Sequence, residues 1–348
     1  MSNRAVHSAE ATILHAIAFL TFLTSGCATL QEQHNPQRFE IGVLGDVPYT
    51  AGDEAKMPAL IKQMNEADLA FVVHVGDMQA DGAGYTDGAP PCSDETLATR
   101  KAQIESIRHP VILTPGDNDW SDCHRAKPGS GYDPLERLSK LREMFFQGDE
   151  SLGQRRLRLT RQSGDSRYAK YRENARWSYG QVLFITIHMV GDNNNRGRTP
   201  QQDEEYAERN AANLEWLKQG FAMAKRDGHK AVMIITQANP YIEDTWTPAY
   251  KRRMRIGPPF VTPFGFADFL RALEEEVSAF DRPVALVHGD THFFRVDKPL
   301  RFAKNQRAYE HFTRVETFGS PHVHWVRATV DVSDPQVFSF RSELVRTQ

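Results

Sequence analysis

The chain has 348 residues, a formal net charge of −3, and apolar and charged fractions of 40% and 25%. It is long enough to bury a sizeable core, and its balance is that of an ordinary soluble domain. No global basic field marks it for nucleic acid.

Residues 1–26 read as an export signal. Arg4 precedes an apolar run from Ala11 to Leu23, shorter than the roughly 20 residues a membrane span needs and suited to a signal h-region. Thr24, Ser25 and Gly26 then lead into Cys27, an arrangement resembling a bacterial lipobox, with Thr24 where Leu is usual. The leading expectation is a lipoprotein lipidated on Cys27. An ordinary cleaved signal and a retained anchor are the alternatives. Export would place the protein in a bacterial periplasm or on a membrane, held there through the N-terminal lipid anchor alone. Residues 27–38 are expected to be a tether and 39–348 the domain. Of the remaining cysteines, Cys92 and Cys123 predict one disulfide in an exported chain; the other reading is two free thiols.

Short apolar runs predict strands at Phe39-Glu-Ile-Gly-Val-Leu, Ala70-Phe-Val-Val-His-Val and Pro110-Val-Ile-Leu-Thr. A further strand falls within Trp177 to Met189, with a hairpin turn at Tyr179-Gly180, and others at Ala231-Val-Met-Ile-Ile-Thr and Pro283-Val-Ala-Leu-Val-His. Such runs suit strands covered on both faces. Helical periodicity falls between them, at Glu54 to Ala67, Asp94 to Arg108, Pro134 to Phe146, Asp203 to Lys225 and Phe264 to Phe280. The alternation implies β-α-β units and a largely parallel sheet. Val323 to Val332 and Val337 to Phe340 read as a closing antiparallel pair. Two stretches look inserted, 148–176 and 240–263; the second holds Lys251-Arg-Arg-Met-Arg. They are solvated surface loops or a rim that attracts an anion.

Four strands finish in Gly-Asp: Gly45-Asp46, Gly76-Asp77, Gly116-Asp117 and Gly289-Asp290. Ligand sites of open α/β sheets lie beyond the carboxyl ends of strands. Carboxylates that converge there repel unless a cation neutralises them. With Asn118 and His292 in the same blocks, the simplest reading is a metal site. A lone Gly-Asp is usually a turn; four at successive strand ends are a stronger signal.

These blocks resemble, in order and spacing over Phe39 to Phe340, those of the calcineurin-like metallophosphoesterase family. The resemblance implies a four-layer α/β/β/α sandwich with mixed sheets. It implies two divalent cations (Mn, Mg, Fe, Ca or Zn) holding a hydroxide that attacks a phosphate mono- or diester. Carried over, Asp46, Asp77 and His292 form one metal site. Asp77, Asp117 and Asp290 form the other, with Gln237 or Asn239 as additional ligands. The chain departs from the family where Pro48 replaces a His, Asn118 stands at the proton-donating His, the lone-His block is Gln237-Ala-Asn239, and Asp290 replaces a His. Histidines thus give way to oxygen donors, which favours Mg, Mn or Ca over Zn. Asn118 can hydrogen-bond a phosphate oxygen but does not act as an acid, and His124 is the candidate donor, or else a surface residue.

His74 and His288 are expected in the core. His188 either faces the site from the Gly191-Asp-Asn-Asn-Asn loop or is structural. Asp119 orients a loop or binds metal, and Tyr49 and Trp120 line the pocket or pack beneath it. The function expected is an exported metal-dependent phosphoesterase acting on a phosphorylated small molecule or phosphoprotein. A weakly catalytic binding domain and an envelope contact protein are the alternatives. No Gly-x-Ser-x-Gly elbow or Walker loop is present.

Overall fold

The computed structural model describes residues 36–82, 90–125, 131–241, 264–302 and 305–346. The expected signal segment, Cys27 with nearly all of the tether, and the Lys251-Arg-Arg-Met-Arg run lie outside the described residues. Among those described, no helix is long and apolar enough to cross a membrane.

The strands are β1 (Arg38–Leu44), β2 (Val72–His74), β3 (Val111–Leu113), β4 (Thr160–Arg161), β5 (Ala175–Tyr179) and β6 (Val182–Thr186). They continue with β7 (Ala231–Ile235), β8 (Val284–His288), β9 (Arg295–Asp297), β10 (Phe312–Glu316), β11 (Trp325–Asp331) and β12 (Phe338–Glu343). They form two mixed sheets, in the orders β12-β11-β1-β2-β3 and β4-β5-β6-β7-β8-β10-β9. Within the first, β1, β2 and β3 run parallel, β11 lies antiparallel to β1, and β12 lies antiparallel to β11. Within the second, β6, β7, β8 and β10 run parallel between antiparallel edges. The parallel sheet expected from β-α-β alternation is therefore only part of each sheet: one side of the first, out to its edge strand β3, and the middle of the second. The outer strands close by hairpins, as Tyr179-Gly180 and the segment after Asp331 do.

Strand alternation sorts the core. Ile41, Val43, Phe71 and Val73 point toward Trp177, Phe184, Met233 and Val287, so one apolar cluster fills the space between the sheets. Leu44, Val72 and Val111 point the other way, against helices α2 (Met57–Glu66), α3 (Asp94–Glu105) and α4 (Pro134–Phe145). On the far side, Leu183, Ile185, Val232 and Leu286 meet α5 (Pro200–Arg226) and α6 (Ala267–Phe280). The side chains thus meet in the order helices, sheet, sheet, helices.

Helix starts follow local chemistry. The Ser93, Asp133 and Thr199 side chains accept the N–H groups of Thr96, Leu135 and Gln202, and Pro134 and Pro200 occupy first helical positions. The expected helix at Glu54 to Ala67 is instead a short turn, α1 (Ala51–Glu54), followed by α2. Thr50 and Asp53 cap α1 reciprocally, and Pro58 restarts the helix.

Stretch 148–176 is more than a surface loop. It adds β4 to the sheet edge and buries Leu152, Leu159, Glu173 and Asn174. Its many Arg and Lys residues hide that role in the sequence.

Candidate functional site

The parallel strands of both sheets present their carboxyl ends on the same side. From the first sheet come Asp46 after β1, Asp77 after β2 and Asp117 after β3. From the second come Gln237 after β7, and Asp290 and His292 after β8. Asp46, Asp77, Asp290 and His292 have left-handed backbones, with φ of 55°, 55°, 80° and 63°. Such backbone costs about 1–3 kcal/mol per non-glycine residue and gathers at functional sites. Gly76 makes the bend possible: at φ 92°, a Cβ there would stand 2.5 Å from the Gly116 nitrogen.

Hydrogen bonds tie the carboxylates into one cluster. Asp290 N–H donates to Asp46 Oδ1 at 3.0 Å, and Asn239 N–H to Asp290 Oδ2 at 2.9 Å. Asp77 Oδ1 accepts the Asn118 N–H at 3.0 Å, and its Oδ2 accepts the Tyr49 hydroxyl at 2.9 Å. The Gln237 amide donates to Asp77 Oδ2 at 3.2 Å and to Asp117 Oδ1 at 2.8 Å. Gly191 leaves room on the far side: Asp117 Oδ2 and Asp290 Oδ1 both lie within 2.6 Å of the point its Cβ would occupy. His292 places Nε2 3.8 Å from Asp46 Oδ1, while its Nδ1 meets the Ser320 carbonyl at 2.9 Å. That carbonyl fixes the proton on Nδ1 and leaves the Nε2 lone pair facing the cluster.

Burial and mutual repulsion make the cluster electrostatically costly. Desolvation first, then neighbouring carboxylates, raise Asp46, Asp77 and Asp117 well above the usual carboxylate range. Burial raises Asp290 to about 7, with Glu316 adding to it. Burial also raises the Tyr49 phenol, which therefore stays a donor to Asp77.

Asp119 takes the loop-orienting role of its two expected ones, and Asp53 and Glu316 are supports the motifs did not single out. Asp119 is fully buried and accepts the N–H groups of Asp77, Met78 and Gly116 at 2.8–2.9 Å, so it clamps two blocks together. Asp53 accepts the Tyr49 and Thr50 N–H groups and the Ser320 hydroxyl, fixing the turn after Asp46. Glu316, at the end of β10, holds the Asp290–His292 turn through the Thr291 hydroxyl and the Phe293 N–H. Glu316 had no signal in its own block, because its partners lie on a loop that only the sheet order brings alongside.

The other candidates are placed as follows. Asn239 gives its side-chain oxygen to the Tyr241 N–H and its amide to Thr291 Oγ1, away from the carboxylates. His124 is exposed, with Nδ1 on the Ser121 carbonyl, and lines a surface depression with Arg198 and Gln202. His74 and His288 are buried, and burial lowers them to about 4 and about 3. His188 is fully buried behind the site, with Nδ1 on Glu173 Oε1 at 2.8 Å and Nε2 accepting the Trp120 indole N–H at 3.1 Å. The Gly191 loop itself reaches the cluster, while His188 supports the loop that follows Asp117.

Cys92 and Cys123 are joined by a disulfide across 31 residues, and both sulfurs lie against the Asn118 carbonyl. A loop of that length implies a contribution of about 3.5 kcal/mol. Cys92→Ser is therefore expected to lower unfolding free energy in denaturant by roughly that amount. A change below about 1 kcal/mol would show that the bridge constrains nothing in the unfolded chain.

The residues suit a hard divalent cation in chemistry. Asp46 Oδ2 is a buried acceptor with no partner, His292 offers a free lone pair, and the carboxylates repel one another. Among the described residues, however, no three of His, Cys, Asp and Glu are already gathered as a ligand cage.

Residues 39–294 match the family model described as calcineurin-like phosphoesterase. Among solved structures, PhoD superposes with a TM-score of 0.50 at 12% identity, over 88% of this chain and 69% of that one. GAP50, the anchor in the inner membrane complex of Plasmodium, gives 0.43 at 10% identity over 89% and 90%. Vacuolar protein sorting 29 from Cryptosporidium parvum gives 0.32 at 10% over 88% and 97%. The PhoD likeness speaks for the fold alone, and the other two superpose too loosely to add to it. No curated protein matches the chain in sequence.

Proposed function

Since the chain belongs to the calcineurin-like phosphoesterase family, a family of hydrolases acting on phosphoester bonds, we propose that it is an exported, divalent-cation-dependent phosphoesterase. Its substrate class is phosphate mono- or diesters with good leaving groups, carried by a small molecule or a phosphoprotein. The observation that carries this reading is the buried, unpartnered Asp46 Oδ2 among carboxylates from the strand ends of two sheets. What sets it apart from other unpartnered buried atoms is its place among carboxylates converging from two sheets, where a cation would satisfy it.

Asp46 and His292 would hold the cation, with Asp77, Asp117 and Asp290 around it. When bound, such a cation lowers the pKa of water and stabilises phosphoryl oxygens. The chain's own residues set the frame for this. Tyr49 and the Asn118 N–H fix Asp77, Asp119 holds the Asp77 and Asp117 loops in register, and Ser320 orients His292. None of Asn118, His124 or Tyr49 is placed as a ready acid, which is why a good leaving group belongs to the proposal. One observation favours the second reading, a binding domain of low turnover: the Gln237 amide already satisfies two of the carboxylates.

The test is hydrolysis of nitrophenyl mono- and diesters by the full chain with Mg, Mn, Ca, Zn or Fe. The proposal expects cation-dependent turnover that EDTA removes. Cation-induced thermal stabilisation without turnover would favour the binding reading. Neither effect, in a folded protein, overturns both.

A further inference from the structure

Resting on that reading, we propose that the site holds one divalent cation rather than a pair, and that the carboxamide of Gln237 takes the second place. Gln237 is fully buried. Its Oε1 accepts the Gly191 N–H at 2.7 Å, and its Nε2 donates to both Asp77 Oδ2 and Asp117 Oδ1. A backbone N–H is only a donor, so it decides which end of the amide faces Gly191. The NH₂ end must then lie between the two carboxylates.

Those two N–H groups do for Asp77 and Asp117 what a bridging cation would do, which is to neutralise repulsion between buried anions. They also exclude a cation, because they present positive hydrogens where it would sit. Turning the amide so that Oε1 becomes a ligand would set NH₂ against the Gly191 N–H, donor against donor. Asp77 has little capacity left in any case. Its Oδ2 already accepts Tyr49 and Gln237, and its Oδ1 accepts Asn118. The opposite half of the cluster differs. There Asp46 Oδ2 is buried and unpartnered, and His292 Nε2 is turned toward Asp46. One half is satisfied by protein donors, and the other is left for a cation.

The test is Mn(II) titration of the full chain by calorimetry, with electron paramagnetic resonance of the loaded protein. The wild type is expected to bind one Mn(II) per chain with an uncoupled six-line spectrum. Gln237→Glu and Gln237→His, which replace the donor by a ligand, are each expected to raise the count to two with a spin-coupled signal. Two coupled Mn(II) ions in the wild type would overturn the inference and leave the phosphoesterase reading standing. No Mn(II) binding would overturn it together with the cation dependence on which it rests. If both variants keep wild-type circular dichroism and still bind one ion, the second place does not belong to Gln237. Should one variant fail to fold, the other and the wild-type count still decide.

Discussion

Asp46→Asn is expected to remove hydrolysis while leaving the fold intact. Asp46 Oδ1 accepts the Asp290 N–H, a bond the asparagine oxygen keeps. Oδ2 has no protein partner, so its replacement by an amide breaks no bond within the chain. What disappears is the charge that would hold a cation. Loss of several kcal/mol of transition-state stabilisation corresponds to roughly a thousand-fold or more in kcat/KM. The variant should also lack the rise in melting temperature expected of the wild type on adding Mn(II). Without cation it should be at least as stable as the wild type, because burial and neighbouring carboxylates raise the Asp46 pKa and removing its charge relieves both. A variant that keeps kcat/KM within tenfold would show that Asp46 is not a cation ligand. A variant that unfolds would show that its carboxylate is structural.

The second large effect is on stability. Glu173 is fully buried and accepts Arg142 through both carboxylate oxygens, together with His188 Nδ1. Although burial works against its ionisation, Arg142 and His188 hold its carboxyl far below the usual glutamate range. Removing one partner of such a pair leaves the other charge buried alone, which costs about 3–5 kcal/mol. Glu173→Ala is expected to lower unfolding free energy by that amount in urea at neutral pH. The sign with pH follows from the depressed pKa: the contribution is complete above the ordinary glutamate value of 4.5 and is lost as the pH falls through the carboxylate range. The gap between variant and wild type should therefore narrow in acid. A gap that widens in acid, or one below about 1 kcal/mol at neutral pH, would mean that the network is not a buried ion pair in solution.

Much of this was legible from residues close in sequence. Continuous apolar runs marked the central strands and side-chain periodicity marked the helices, because both are local effects; the Thr199 cap was passed over, so the helix expected from Asp203 begins at Pro200. Gly-Asp at four strand ends marked where the chain must bend sharply, since glycine and aspartate tolerate the left-handed backbone seen at Asp46, Asp77 and Asp290. The pairing of Cys92 with Cys123 was expected from the leftover count in a chain read as exported, against the alternative of two free thiols.

Tertiary structure alone decided the rest. Gln237 and Asp77 are 160 positions apart, so no local pattern could show that an amide would point its donors, rather than its oxygen, at the carboxylates. That outcome turns on one backbone N–H, Gly191, supplied by a third loop. His124 is near Asp117 in sequence but faces outward, because its short helical turn ties the ring to the Ser121 carbonyl. Glu316, unremarkable at the end of an unforeseen strand, reaches the Asp290 turn because β10 lies beside β8. The sequence determined the kind of residues at the ends of the strands. Only the fold decided which of their lone pairs are already taken, because hydrogen bonds between buried groups depend on orientation across sheets that sequence spacing does not encode.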